Sequence, residues 1–178
     1  RYIVGMSNGG AMVYRFACEN QDLITAAAIV SSSIPVGTVC ENDVNLPLLI
    51  VYGENDRTTP PNGQKSYDGF FYESVDQTFT SWANNQNCED KVYKLESNEF
   101  KKKNVSCSFR QNCENGNQVR ICRIKDGGHF WPGQKESVGF CNTIVQNKIN
   151  NKICENKNEI SNWGNELIWS FLERYKRF

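Results

Sequence analysis

The sequence predicts an α/β fold: a mainly parallel sheet flanked by helices, in a single domain over residues 1–178. Three observations predict it. Segments with strand character alternate with segments of helical periodicity, as in a sheet covered on both faces. The run Leu48-Leu49-Ile50-Val51-Tyr52-Gly53 is continuously apolar, as a strand buried on both sides must be. Third, Gly5-Met6-Ser7-Asn8-Gly9 joins a short apolar run to a helical pattern, with a serine at the apex of the turn.

Tyr2 to Val4 is a short buried strand. A helix follows from Asn8 or Gly9 to about Asn20; Ala11, Met12, Tyr14, Phe16 and Ala17 leave it little polar face, so it should be largely buried. Ala26 to Val30 is a second apolar run, ended by three serines. Ile34 to Asn45 carries Pro35, Gly37 and Cys40 and is a loop. Pro47 and Gly53 bound the central strand, and a polar loop from Glu54 to Pro61 leaves it. From about Ser74 to Asn84, Val75, Phe79, Trp82 and Ala83 share one helical face, the pattern of a core helix. Val92–Leu95 and Val105–Phe109 are short, polar-flanked segments expected as antiparallel edge strands. In Val119–Ile124, Val119 and Ile121 alternate with Arg120 and Arg123, which predicts one side toward solvent. Asp126 to Gly133 is a glycine-rich loop. Residues 134–157 are polar and match no element. The chain closes in a helix whose stripe is Ile160, Trp163, Leu167, Ile168, Phe171, Leu172 and Tyr175.

A chain of 178 residues supports one domain with a real core. Twenty basic and twenty acidic residues balance, and no long basic run argues for nucleic acid. No stretch is long and apolar enough to span a bilayer. Eight cysteines are scattered without paired C-x-x-C spacing, which favours disulfides and an oxidising, extracellular setting. Cys107, Cys113 and Cys122 lack zinc spacing. The connectivity is open, with on the order of a hundred pairings; Cys141 and Cys154 would staple the 134–157 segment. Asn104-Val105-Ser106 is a glycosylation sequon, which accords with secretion. Arg1 stands almost inside the first strand, so the expectation is an N-terminally truncated domain.

In parallel sheets, ligands gather at the carboxyl ends of strands. Ser7, Asp56 and His129 each follow a predicted strand. A serine hydroxyl needs a base to act as nucleophile, and the chain has one histidine. If Ser7 uses an imidazole, that imidazole belongs to His129, as general base and then general acid. A carboxylate would orient the ring and stabilise the imidazolium. Asp56 lies after the strongest strand; Asp126, three residues before His129, competes with it. Asp43 and Asp68 are read as loop surface. A developing oxyanion at Ser7 would meet the backbone N–H of Asn8 at the helix start. Phe130 and Trp131 beside the base are either an apolar wall for substrate or aromatic packing beneath the loop.

Gly5-Met6-Ser7-Asn8-Gly9-Gly10-Ala11-Met12, with Ala17-Cys18-Glu19, resembles the secreted polyhydroxybutyrate depolymerase and feruloyl-esterase-like group of α/β-hydrolases. The same group is matched by Tyr52-Gly53-Glu54-Asn55-Asp56 with Pro60, by Trp82 to Cys88, by Gly127-Gly128-His129-Phe130-Trp131-Pro132-Gly133, and by Asn165 to Leu172. The resemblance covers nearly the whole chain. It implies the C-terminal part of an α/β-hydrolase fold with its N-terminal strands missing. It also implies a Ser7–His129–Asp56 triad and hydrolysis of carboxylic esters through an acyl-serine, without metal or organic cofactor. Substrates would be a polyhydroxybutyrate-type polyester or a feruloyl or acetyl ester of a polysaccharide. A catalytically silent hydrolase-fold module binding polysaccharide or protein is the alternative. The family's first half also carries a His-Gly loop that donates a second oxyanion N–H, so the isolated chain is expected to be poorly active and prone to self-association.

Overall fold

The computed structural model of the protein describes residues 1–38, 40, 44–66, 69–134 and 161–176. Its framework is a six-stranded mixed sheet with helices on both faces. The strands are β1 (Tyr2–Met6), β2 (Ala26–Val30), β3 (Leu48–Gly53), β4 (Tyr93–Leu95), β5 (Val105–Arg110) and β6 (Val119–Ile124). Their order across the sheet is β1-β2-β3-β6-β5-β4. The first four in that order run parallel, and β5 and β4 close the far side antiparallel. The helices are α1 (Asn8–Asn20), α2 (Val75–Asn85), the short α3 (Asn98–Lys102) and α4 (Trp163–Leu172).

Side chains alternate across the sheet with period two and build two cores. On one face Ala27, Ile29, Leu48, Ile50 and Ile121 meet Val13, Tyr14 and Ala17 of α1 and Val75, Phe79, Trp82 and Ala83 of α2. On the other, Ala28, Val30, Leu49, Val51 and Cys122 meet Leu167, Ile168, Phe171 and Leu172 of α4. β2 and β3 are buried at every position, the property of central parallel strands. Helix starts follow capping chemistry: Ser74 accepts from the Gln77 N–H at 3.1 Å and Ser97 from the Phe100 N–H at 3.3 Å. The indole N–H of Trp82 donates to the Leu46 carbonyl at 3.0 Å and locks α2 onto the chain entering β3.

Three expectations are corrected. Helix α1 buries Val13, Tyr14 and Ala17 but leaves Met12 66% exposed. It covers only one edge of the sheet, so its apolar surface is not enclosed all round. Of β4 and β5, only β4 is an edge strand; β5 lies between β6 and β4. Finally, β6 has no solvent face. Arg120 is 5% exposed, with its guanidinium over the Phe171 ring at 5.2 Å and hydrogen-bonded to Gln118. An aromatic ring and an amide let a charged side chain lie under α4, which alternation alone does not reveal.

Three disulfides are present among the described residues: Cys18–Cys40, Cys88–Cys113 and Cys107–Cys122. They suit an oxidising, extracellular setting. The first holds the carboxyl half of α1 to the loop before β3. The second holds the end of α2 to the loop before β6. The third joins directly opposed residues of β5 and β6. Asn104 of the sequon is exposed at the turn entering β5. No helix among the described residues is long and apolar enough to cross a membrane. Cys141, Cys154, Asp43, Asp68 and the 135–157 segment lie outside the described residues. Replacing Cys107 and Cys122 together by Ala opens a loop of 15 residues and is expected to cost about 3 kcal/mol. Urea unfolding against the parent protein measures it.

Candidate active site

The site lies at the carboxyl edge of the parallel strands, where the chain leaves β1, β3 and β6. At the end of β1 the backbone reverses at Ser7, whose φ is 55° and ψ −125°. This is a conformation that a non-glycine residue adopts only under constraint. The constraint is visible. The Ser7 N–H donates to the Val30 carbonyl at 3.0 Å, and the Ser7 carbonyl accepts from the Ala11 N–H at 3.1 Å as the first bond of α1. Asn8, Gly9 and Gly10 therefore lie in the first helical turn, where backbone N–H groups have no partner within the helix.

Close approach, rather than backbone freedom, explains the glycines. A Cβ on Gly5 would collide with the Gly9 carbonyl and lie 2.8 Å from Val13 Cγ2. A Cβ on Gly10 would lie 2.6 Å from Ser32 Cβ. At Gly9 nothing stands within 4 Å. Gly5 and Gly10 are thus the pair that clears the turn, and Gly9 is not needed for that clearance.

The imidazole of His129 bridges the other two predicted residues. Its Nε2 is 2.9 Å from Ser7 Oγ and its Nδ1 is 2.8 Å from Asp56 Oδ2. Asp56 is 4% exposed, so the ring has a buried carboxylate behind it and a partly accessible hydroxyl in front. The two carboxylate oxygens of Asp56 have different partners. Oδ1 accepts from the N–H groups of Thr58 and Thr59, each at 2.9 Å, while Oδ2 faces the ring. Asp126 is exposed with φ 59° and makes no hydrogen bond or ion pair with His129.

The two loops that bear Asp56 and His129 touch through glycines. A Cβ on Gly53 would strike the Gly127 carbonyl. The Asn55 N–H donates to the Gly127 carbonyl at 2.8 Å and the Glu54 N–H to that of Ile124 at 3.1 Å. Two supports have no local mark in the sequence: the Ser31 hydroxyl, which donates to the Phe130 carbonyl at 3.4 Å, and Asn165, which accepts from the Trp131 indole N–H at 2.8 Å.

Trp131 packs against the α4 core and also lines an apolar groove of about 390 Å³ with Tyr2, Val4, Ile168 and Trp169. The groove lies along β1, where Tyr2 and Val4 line it. Phe130 is half-buried beside it, and its side chain lines no part of that groove.

No protein-family model matches the chain. It is similar to Feruloyl esterase B of Piromyces equi. The two are 27% identical over an alignment of 139 residues that covers 72% of this chain. The chain spans about a quarter of that protein's length, the matched stretch being 24% of it.

Gly5→Ala should destabilise the protein by about 1–3 kcal/mol through overpacking at the turn. Gly9→Ala should be neutral or stabilising by up to about 1 kcal/mol, because it trades a helical glycine for alanine in open space. Chemical denaturation of the two variants side by side checks the contrast.

Proposed function

We propose that the chain is a secreted serine-type carboxylic-ester hydrolase of the α/β-hydrolase fold. Ser7 is its nucleophile, His129 its general base and acid, and Asp56 its orienting carboxylate. The observation that carries this is the continuous relay from a buried carboxylate through the one imidazole of the chain to a hydroxyl on a strained turn. Similarity to a protein named as a feruloyl esterase supports the ester reading, with a feruloyl ester favoured over a polyester.

The chemistry follows from the geometry. The Nδ1–H donates to Asp56 Oδ2, which leaves the Nε2 lone pair facing the Ser7 hydroxyl. When Ser7 Oγ adds to an ester carbonyl, its proton passes to Nε2 and the imidazolium is held against the carboxylate. The carbonyl oxygen becomes an anion at the first turn of α1, where the Asn8 N–H and the helix dipole stabilise it. Collapse expels the alcohol, protonated by Nε2–H, and leaves acyl-Ser7. Water, deprotonated by the same nitrogen, then releases the acid. No cofactor enters these steps.

A fluorophosphonate probe should label Ser7 and fail to label Ser7→Ala. A folded protein that stays unlabelled would point instead to a non-catalytic module that binds polysaccharide or protein. Asp56→Asn should label far more slowly than the parent and lose on the order of 10³–10⁴ in kcat, since the wrong tautomer is then favoured. Trp131 is the candidate for the wall that receives the acyl or polymer chain. Trp131→Ala should raise KM for aromatic or polymeric esters more than for acetyl esters. Equal effects in steady-state kinetics would remove it from that role.

A further inference from the structure

At the opposite pole of the sheet, where the chain enters β2, β3 and β6, lies a second cleft of about 660 Å³. Its chemistry is one-sided. Gln118 Oε1 accepts from Arg120 Nε at 3.2 Å, from Arg120 Nη2 at 2.8 Å and from Arg174 Nη1 at 3.2 Å. Three donors on one oxygen fix the orientation of that amide, and its NH₂ group points away from them. Two guanidinium groups therefore share one neutral acceptor. Arg120 has no ion-pair partner among the described residues. Burial, and secondarily Arg174, pushes its pKa down to about 10, so it stays charged at neutral pH. Buried charges are ordinarily matched by an opposite charge.

Among the described residues the lining of the cleft includes Arg174 and Lys176 and no carboxylate. Around them stand the side-chain amides of Gln111 and Asn112, and the phenol ring of Tyr175. Amides both donate and accept, which is the chemistry that vicinal hydroxyls require. Exposed cationic side chains with amides beside them together suit a polyol that carries an anionic oxygen pair. The volume suits one or two sugar rings rather than an inorganic ion.

We propose that this cleft is an accessory binding site for a uronate residue of an acidic polysaccharide, its carboxylate against Arg174 and Gln118 and its hydroxyls on the surrounding amides. The site faces away from Ser7, so an occupied cleft leaves the triad free. It is independent of the ester chemistry and stands whether or not Ser7 is a nucleophile.

Titration calorimetry of the full chain with trigalacturonate tests it, with amide chemical shifts of residues 111–118 to locate the ligand. Saturable binding is expected that shifts those amides, weakens at least tenfold in Arg174→Gln, and weakens as salt is raised. Xylotriose, a neutral trisaccharide, should bind at least tenfold more weakly. The exposed position of Arg174 lets that variant fold, and an unchanged unfolding midpoint verifies it. No binding, equal affinity for the neutral trisaccharide, or indifference to Arg174→Gln would overturn the proposal. Inorganic phosphate binding as tightly as trigalacturonate would reduce the cleft to a simple oxyanion site and overturn the sugar reading.

Discussion

A fixed strand register at the carboxyl edge is the constraint on which the rest of this structure depends. In the parallel part of the sheet Met6 lies opposite Val30, Val30 opposite Val51, and Gly53 opposite Ile124. Strands β3 and β6 thus end together, one short step beyond β1 and β2. Their loops leave higher and lean over the turn at Ser7. A single imidazole ring then spans the distance between a carboxylate on one loop and a hydroxyl two strands away. Shifting any of these registers by one residue would turn each side chain to the other face of the sheet and separate the three groups. Site geometry here is a consequence of strand pairing, and strand pairing is enforced by burial on both faces.

Precision comes from backbone contacts layered on that register. The Asp56 carboxylate is pinned at one oxygen by the Thr58 and Thr59 N–H groups, so the other has one direction left to face. Two neighbouring strand ends carry non-glycine residues at positive φ, Ser7 at 55° and Ser31 at 46°. Such backbone costs on the order of 1–3 kcal/mol each. Each is held by the strand beside it, Ser7 through Val30 and Ser31 through Val51. Ser31 in turn donates to the Phe130 carbonyl, one residue past His129. Strain at the serine turn and placement of the histidine loop are therefore joined through the end of β2.

Much of this was legible in the sequence, and the parts that were not share a cause. The serine turn, the central strand and the core faces of α2 and α4 are local patterns, and each has the period or the flanking residues that its conformation demands. The lone histidine needed only a count. What escaped was non-local. The disulfide partners meet only once the strands have been ordered, since Cys107 and Cys122 are opposed by register. Gly10 rather than Gly9 clears the turn because Ser32, from the next strand's exit, stands beside it. Met12 is exposed because no further element covers that side of α1 among the described residues. Trp131 could not be assigned between wall and core from its neighbours in the chain; in the folded protein it packs on the core under α4 and also lines the groove along β1.

Arg120 is the instructive failure. Alternation of apolar and basic residues along a strand usually marks a solvated face, since an unpaired buried charge costs far more than one buried methylene contributes. Here the chain met that cost without a carboxylate, by stacking the guanidinium on Phe171 and giving its protons to Gln118. That arrangement leaves the charge solvated by dipoles but not neutralised, and Arg174 adds a second charge on the same amide. A structure built for stability alone would more simply have placed an apolar residue under α4, because such replacements are commonly neutral or stabilising. Retaining two cations around one neutral oxygen, at the mouth of an amide-lined cleft, has a physical rationale if the missing negative charge arrives from outside.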